Sequence, residues 1–117
     1  MIIGSGLIAT IFMPIYRDNH NVCIFASGVS NSKCIDPKEF KRERQLLMKS
    51  LRQYIDKNTF IYFSTCSISD PNTVNSMYVK HKLEMESLVS FHPGYLVFRL
   101  PQVVGYGGNI HNLLNFL

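Results

Sequence analysis

The sequence predicts an α/β protein: a parallel sheet of about four strands with helices on both faces. Three observations predict it. Short apolar runs alternate with amphipathic or capped segments along the 117 residues, the pattern that strand–helix–strand units leave in a chain. Two of those runs, Val22 to Ala26 and Phe60 to Phe63, are apolar without alternation, as expected of strands covered on both faces. The third observation is Gly4-Ser5-Gly6-Leu7-Ile8-Ala9, whose Gly-x-Gly-x-x-Ala spacing stands between a first apolar run and a second segment.

Met1 to Ile3 is the first strand, and the glycine turn leads to an apolar segment from Leu7 to Tyr16. That segment reads as helix, but Pro14 removes a backbone donor and clashes with the preceding turn, so the helix is kinked or short. Asn19-His20-Asn21 is a turn, Val22 to Ala26 the second strand, and Ser27 to Ile35 a polar loop. Asp36-Pro37-Lys38-Glu39 starts the next helix: Asp36 caps, Pro37 suits the first helical position, and Glu39 can complete a capping box. Phe40, Leu47, Leu51 and Tyr54 or Ile55 recur at helical spacing out to about residue 56. Phe60 to Phe63 is the third strand, expected parallel to Val22 to Ala26 with helix 37–56 crossing between them. Ser64 to Asn75 is a polar loop and Ser76 to Ser90 a helix with Leu83, Met85, Leu88 and Val89 apolar. His92-Pro93-Gly94 ends it, and Tyr95 to Leu100 is a further strand. Pro101 to Asn109 reads as a glycine-rich loop and Asn109 to Leu117 as the beginning of another helix.

Length marks one domain over residues 1–117, large enough for a single core. Apolar residues make up 46% and charged residues 17%, ordinary for a soluble globular protein. The net charge of +4 is not gathered into a block. In the densest cluster, Lys38 to Arg44, Glu39 and Glu43 are interleaved, which reads as a solvated helix face rather than a nucleic-acid stripe. No apolar run approaches the ~20 residues that span a bilayer, and Met1-Ile2-Ile3 lacks the basic lead of a signal peptide. Cys23, Cys34 and Cys66 have no metal-type spacing and are odd in number, which fits a reducing cytoplasm; Cys23 reads as a small buried thiol. The histidines have no partners at metal-ligand spacing and read as surface or packing residues, so no metal site is expected. The chain stops on Leu113-Leu114-Asn115-Phe116-Leu117, an apolar stripe with no cap, which implies truncation or docking on a partner.

Met77-Tyr78-Val79-Lys80-His81-Lys82 is the segment richest in chemistry. It sets a tyrosine and a lysine four residues apart on a helix, hence on one face. An ammonium beside a phenol favours the phenolate, so the tyrosine can exchange a proton below its ordinary pKa of about 10. That is the proton chemistry of an alcohol whose carbon gives or takes a hydride. The glycine turn supplies a complementary function. Gly4 permits the tight turn, Gly6 lets the backbone approach a pyrophosphate, Ala9 allows close helix packing, and the helix N-terminus offers N–H groups to the anion.

Taken in order, Ile2-Ile3-Gly4-Ser5-Gly6-Leu7-Ile8-Ala9, Phe25-Ala26-Ser27-Gly28-Val29, Phe60-Ile61-Tyr62-Phe63-Ser64-Thr65-Cys66-Ser67, Tyr78-Val79-Lys80-His81-Lys82-Leu83-Glu84 and Arg99-Leu100-Pro101-Gln102-Val103-Val104-Gly105 follow a known arrangement. The chain resembles the extended short-chain dehydrogenase/reductase family, in the NAD-dependent epimerase/dehydratase branch that works on nucleotide sugars. The resemblance implies a Rossmann-like fold, NAD or NADP as cofactor, a nucleotide-sugar substrate, and a homodimer formed by packing helices 37–56 and 76–90 against their copies. It implies that Tyr78 is the general acid/base, that Lys82 holds the nicotinamide ribose and lowers the tyrosine's pKa, and that Thr65 bonds the substrate oxygen. It places Gly4, Gly6, Leu7 and Ile8 at the pyrophosphate turn. Ala26, Ser27, Gly28 and Ser64 line the cofactor, and Pro101, Gln102 and Val103 stand near the nicotinamide.

The departures from that pattern are specific. No Asp or Glu lies between Asp18 and Asp36, where an acidic residue normally grips the adenosine ribose. The second strand ends in Ala26-Ser27-Gly28 like the family's fourth, so its second and third strands and the C-terminal substrate region are expected to be missing. The Thr65 to Tyr78 interval is short. Cys66-Ser67 stand where dehydratases carry Asp-Glu, which argues against sugar 4,6-dehydration. Three readings follow: an active epimerase/reductase, a nucleotide-binding module without turnover, and a subunit that pairs through its helices and apolar tail.

Overall fold

The computed structural model describes residues 1–16, 18–29 and 33–101. Four strands, β1 (Ile2–Ile3), β2 (Val22–Phe25), β3 (Thr59–Thr65) and β4 (Tyr95–Leu100), alternate with three helices, α1 (Leu7–Tyr16), α2 (Pro37–Gln53) and α3 (Met77–Val89). The sheet is wholly parallel in the order β1-β2-β3-β4. Val22 pairs with Thr59 and Phe25 with Tyr62, and β3 is paired with β4 from Phe60–Tyr95 to Thr65–Leu100. The expected α/β architecture with a Rossmann-like parallel sheet is thus the observed one.

Local chemistry explains most element ends. Asp36 caps α2, its carboxylate accepting from Lys38 N at 2.9 Å, with Pro37 in the first turn. The capping box is not formed, because Glu39 turns instead to Arg42 at 3.3 Å. Ser76 caps α3 by accepting from Val79 N at 3.2 Å and so stands outside the helix. α1 runs through Pro14 and ends two residues later at Tyr16. The polar stretch after Phe63 is not all loop: β3 continues to Thr65, and Cys66–Ser69 form a 3-10 turn. Pairing with β4 accounts for the extension, since Ser64 and Thr65 lie opposite Arg99 and Leu100. The glycine-rich loop and last helix read from the sequence, with Gln102 and Val103, lie outside the described residues.

Alternation along the strands sends side chains to opposite faces. On one face Cys23, Phe25, Phe60 and Tyr62 pack with Leu47 of α2 and with Met85 and Val89 of α3. On the other, Ile24, Phe63 and Leu100 meet Ile8, Ile11, Phe12 and Tyr16 of α1, where Phe12 stacks on Phe63 with ring centroids 5.8 Å apart. α1 is short, so Leu96 and Phe98 of β4 stay 48% and 39% exposed.

The sheet advances the same way at every step, yet α1 lies on one face and α2 and α3 on the other. The first connection therefore has the opposite hand to the next two. Parallel crossovers are right-handed in about 98% of cases, so this mixture of hands is unusual. Chain leaving β1 turns to one face and chain leaving β2 to the other, which makes their carboxyl ends a switch point, the place where ligand-binding crevices form in open parallel sheets.

Candidate functional site

Gly4 and the end of β2 meet at that switch point. Gly4 has φ +121°, a conformation L side chains rarely adopt, and a Cβ there would lie 2.5 Å from the Ala26 carbonyl oxygen. Ala26 N in turn donates to Ile3 O at 2.7 Å. Glycine is thus required for the turn to lie flat against β2. Gly6 differs: a Cβ would meet nothing within 4 Å, and its carbonyl accepts from Thr10 N at 2.9 Å as α1 begins. Ser5 and Gly6 are exposed, Leu7 and Ile8 open the helix, and Ala9 is fully buried, the close packing its small side chain permits. Ser27 is fastened to α2, its carbonyl accepting from Arg42 Nη1 at 3.1 Å and its hydroxyl from the same nitrogen at 3.3 Å.

The tyrosine and lysine stand on α3, packed toward α2 and β3. Both are buried, Tyr78 at 7% and Lys82 at 2% exposure, and Lys82 Nζ lies 5.7 Å from the Tyr78 ring centroid. Spacing on the helix predicts this adjacency; it does not predict where the ammonium goes. Lys82 Nζ donates to Glu43 Oε1 and Oε2 at 3.2 and 3.3 Å and to Tyr62 Oη at 3.1 Å. Glu43 also accepts from Val29 N at 2.8 Å, meets His81 Nε2 at 2.9 Å, and takes a short hydrogen bond from the Tyr62 hydroxyl. Gly28 closes over the pair, since a Cβ there would stand 2.7 Å from Nζ and 3.0 Å from Glu43 Oε2.

A fully buried carboxylate is costly unless bonded, and this one is bonded from several segments. Burial alone would raise the Glu43 pKa; the bonds from His81, Lys82, Tyr62 and Val29 outweigh it and hold the carboxyl at about 2. Burial pushes Lys82 below the ordinary lysine value, with Glu43 opposing the fall. The Tyr62 phenol is driven well up by burial and then by the neighbouring carboxylate. Phe40 stacks on His81 at 4.5 Å, and His81 Nδ1 has no hydrogen-bond partner among the described residues.

Other sequence-predicted residues stand at the same end of the sheet with different engagements. Thr65 is buried and caps the 3-10 turn, its hydroxyl accepting from Ser67 N at 3.1 Å. Ser64 donates to Glu86 Oε2 at 2.7 Å, and Glu86 is also held by Arg99 at 2.8 Å. Pro101 follows β4, half-buried. A surface groove lined by Thr10, Met13, Pro14 and Asp18 follows the exposed side of α1, away from these residues.

The sequence places Glu43 on a solvated helix face, whereas it is fully buried, and Tyr62, His81 and Arg42 were not singled out. The burial was legible in part, because Glu43 stands three residues after Phe40 and four before Leu47, on the buried stripe of α2. A carboxylate on an apolar stripe demands a buried partner. Nothing local names Lys82 as that partner. No group of three or more metal-ligating side chains occurs among the described residues, and no described helix is long and apolar enough to cross a membrane. Comparison with family models, curated proteins and solved structures finds no match to this chain.

Proposed function

We propose that this chain is an NAD(P)-dependent epimerase/reductase-like protein acting on a nucleotide sugar, with the cofactor in a crevice between β1 and β2. One observation carries the reading. The connections part to opposite faces at the point where Gly4 lies against Ala26, with the N-terminus of α1 beside it, an arrangement suited to a pyrophosphate. Tyr78 then serves as general acid/base and Lys82 biases its phenol toward the anion through its charge. The opposed hand of the first connection supports the reading too. Strands inserted between α1 and β2 would allow α1 to be part of a unit of the same hand as the others, so the hand is what their loss leaves behind. Dimerisation belongs to the same proposal: Met48 of α2 and Leu83 of α3 are 40% and 39% exposed beside the Arg44–Glu84 bridge.

A specific observation favours the second reading, a nucleotide-binding or dimerisation module without turnover. Lys82 is bonded to Glu43 and Tyr62 rather than open to the crevice. Calorimetric titration with NADH and NADPH, followed by assay of both the reduced nicotinamide and the sugar product with a panel of nucleotide sugars, separates the two, since an epimerase returns its hydride and leaves no net reduced cofactor. Binding with turnover that falls ~10²–10⁴-fold in Tyr78→Phe, at nearly unchanged cofactor affinity, supports the enzyme. Binding without turnover supports the module. A Kd above about 1 mM for both nucleotides overturns the proposed site.

A further inference from the structure

We infer that Glu43 is the positioning residue of this site: it fixes the Lys82 ammonium beside the Tyr78 ring and fastens the loop after β2 to the same point. The inference rests on the proposed function only in giving Tyr78 and Lys82 a role toward a cofactor; the geometry stands without it.

Lysine is a flexible residue, its point charge carried on a four-carbon stem. Here that freedom is gone. An ammonium has three hydrogens to donate, and Lys82 Nζ has three acceptors in reach: both oxygens of Glu43 and the Tyr62 hydroxyl oxygen. Glu43 is equally committed, gathering Val29 N from the loop after β2, Tyr62 from β3, and His81 and Lys82 from α3. One carboxylate therefore sets the mutual position of α2, β3, α3 and the loop after β2. Gly28 adds the last element. A Cβ at position 28 would stand 2.7 Å from Nζ and 3.0 Å from Oε2, so any larger residue there would have to displace the Lys82 ammonium from its place against Glu43. Lys82 acts through its charge while its hydrogens stay on protein acceptors. The groups facing it are Glu43 and Arg42 from α2, Tyr62 from β3, and Tyr78 and His81 from α3 itself.

The experiment follows the lysine directly. The 117-residue chain labelled with ¹⁵N-lysine is titrated by NMR, with the Lys82 Nζ resonance assigned by its loss in Lys82→Gln. Glu43→Gln keeps the size and one carbonyl acceptor but removes the charge. The expected result is a Lys82 ammonium whose proton affinity falls at least about tenfold in Glu43→Gln, with Glu43→Asp between it and wild type. A side chain that only packed would leave that titration unmoved, and a Lys82 resonance titrating as in wild type in folded Glu43→Gln overturns the inference. If Glu43→Gln does not fold, Glu43→Asp decides: its shorter reach must release Nζ bonds, and an unchanged Lys82 resonance there is the refuting result. NADH titration of the same proteins keeps the two proposals apart. Lys82 responding to Glu43→Gln in a chain that binds no NADH leaves the positioning role standing and removes the cofactor. NADH binding with Lys82 indifferent to Glu43 does the reverse.

Discussion

Replacing Gly4 by alanine tests the turn on which the proposed crevice depends. At φ +121° a side chain is strained whatever the space around it, at a cost of about 1–3 kcal/mol. The space is also absent. The new Cβ would lie 2.5 Å from Ala26 O, 2.7 Å from Ala26 C and 3.1 Å from Ser27 N. These are backbone atoms of a strand end already held by the Ala26 N to Ile3 O bond at 2.7 Å, so they cannot swing aside as a side chain would. Overpacking of this kind adds roughly 1–3 kcal/mol. Gly4→Ala should therefore lose about 2–6 kcal/mol, a large part of the ~5–15 kcal/mol that holds a domain together. Urea unfolding followed by circular dichroism should show a lower midpoint at unchanged slope. Gly6→Ala is the control: nothing lies within 4 Å of its Cβ, so stability should change by no more than about 1 kcal/mol in either direction. Equal stability of Gly4→Ala and wild type, or equal damage from the two variants, would refute the argument.

Acid should weaken the protein through Glu43. Its carboxyl is held at about 2 against an ordinary 4.5, so its contribution is complete above about pH 4.5 and disappears as pH falls through about 2, amounting to roughly 3 kcal/mol. Urea midpoints measured between about pH 5 and pH 2 should fall in wild type and lack this component in Glu43→Gln; parallel curves would show that the carboxyl is not held in its charged form. The cysteines should separate by reactivity. Burial pushes the Cys23 thiol up to about 12 and leaves it 0% exposed, whereas Cys66 is exposed. Iodoacetamide at about pH 8 should label Cys66 in the native protein and reach Cys23 only in denaturant; mass spectrometry finding both labelled at one rate would mean that Cys23 is not in the core.

Much of the fold was written locally. Asp36-Pro37 starts α2 and Ser76 starts α3 because a cap needs only a side-chain acceptor two or three residues from a free N–H. The unbroken apolar runs of β2 and β3 identify buried parallel strands, and Gly4-Ser5-Gly6 identifies the turn, because these patterns depend on neighbours in sequence. Helical spacing likewise puts Tyr78 beside Lys82. What the sequence could not decide involves residues far apart. Lys82 finds its counter-charge 39 residues away in Glu43 and its hydroxyl partner 20 residues away in Tyr62. His92, readable as a surface or packing residue, is buried and joins Tyr54 O to Gly94 N across the end of the sheet. The face on which α1 lies was equally beyond local reading, since an apolar helix satisfies either side of a sheet. Periodicity says which surface an element buries, and caps say where it begins. Only the order of the strands and the hand of their connections bring Glu43, Tyr62 and Lys82 to one point, because those contacts exist only once the sheet is assembled.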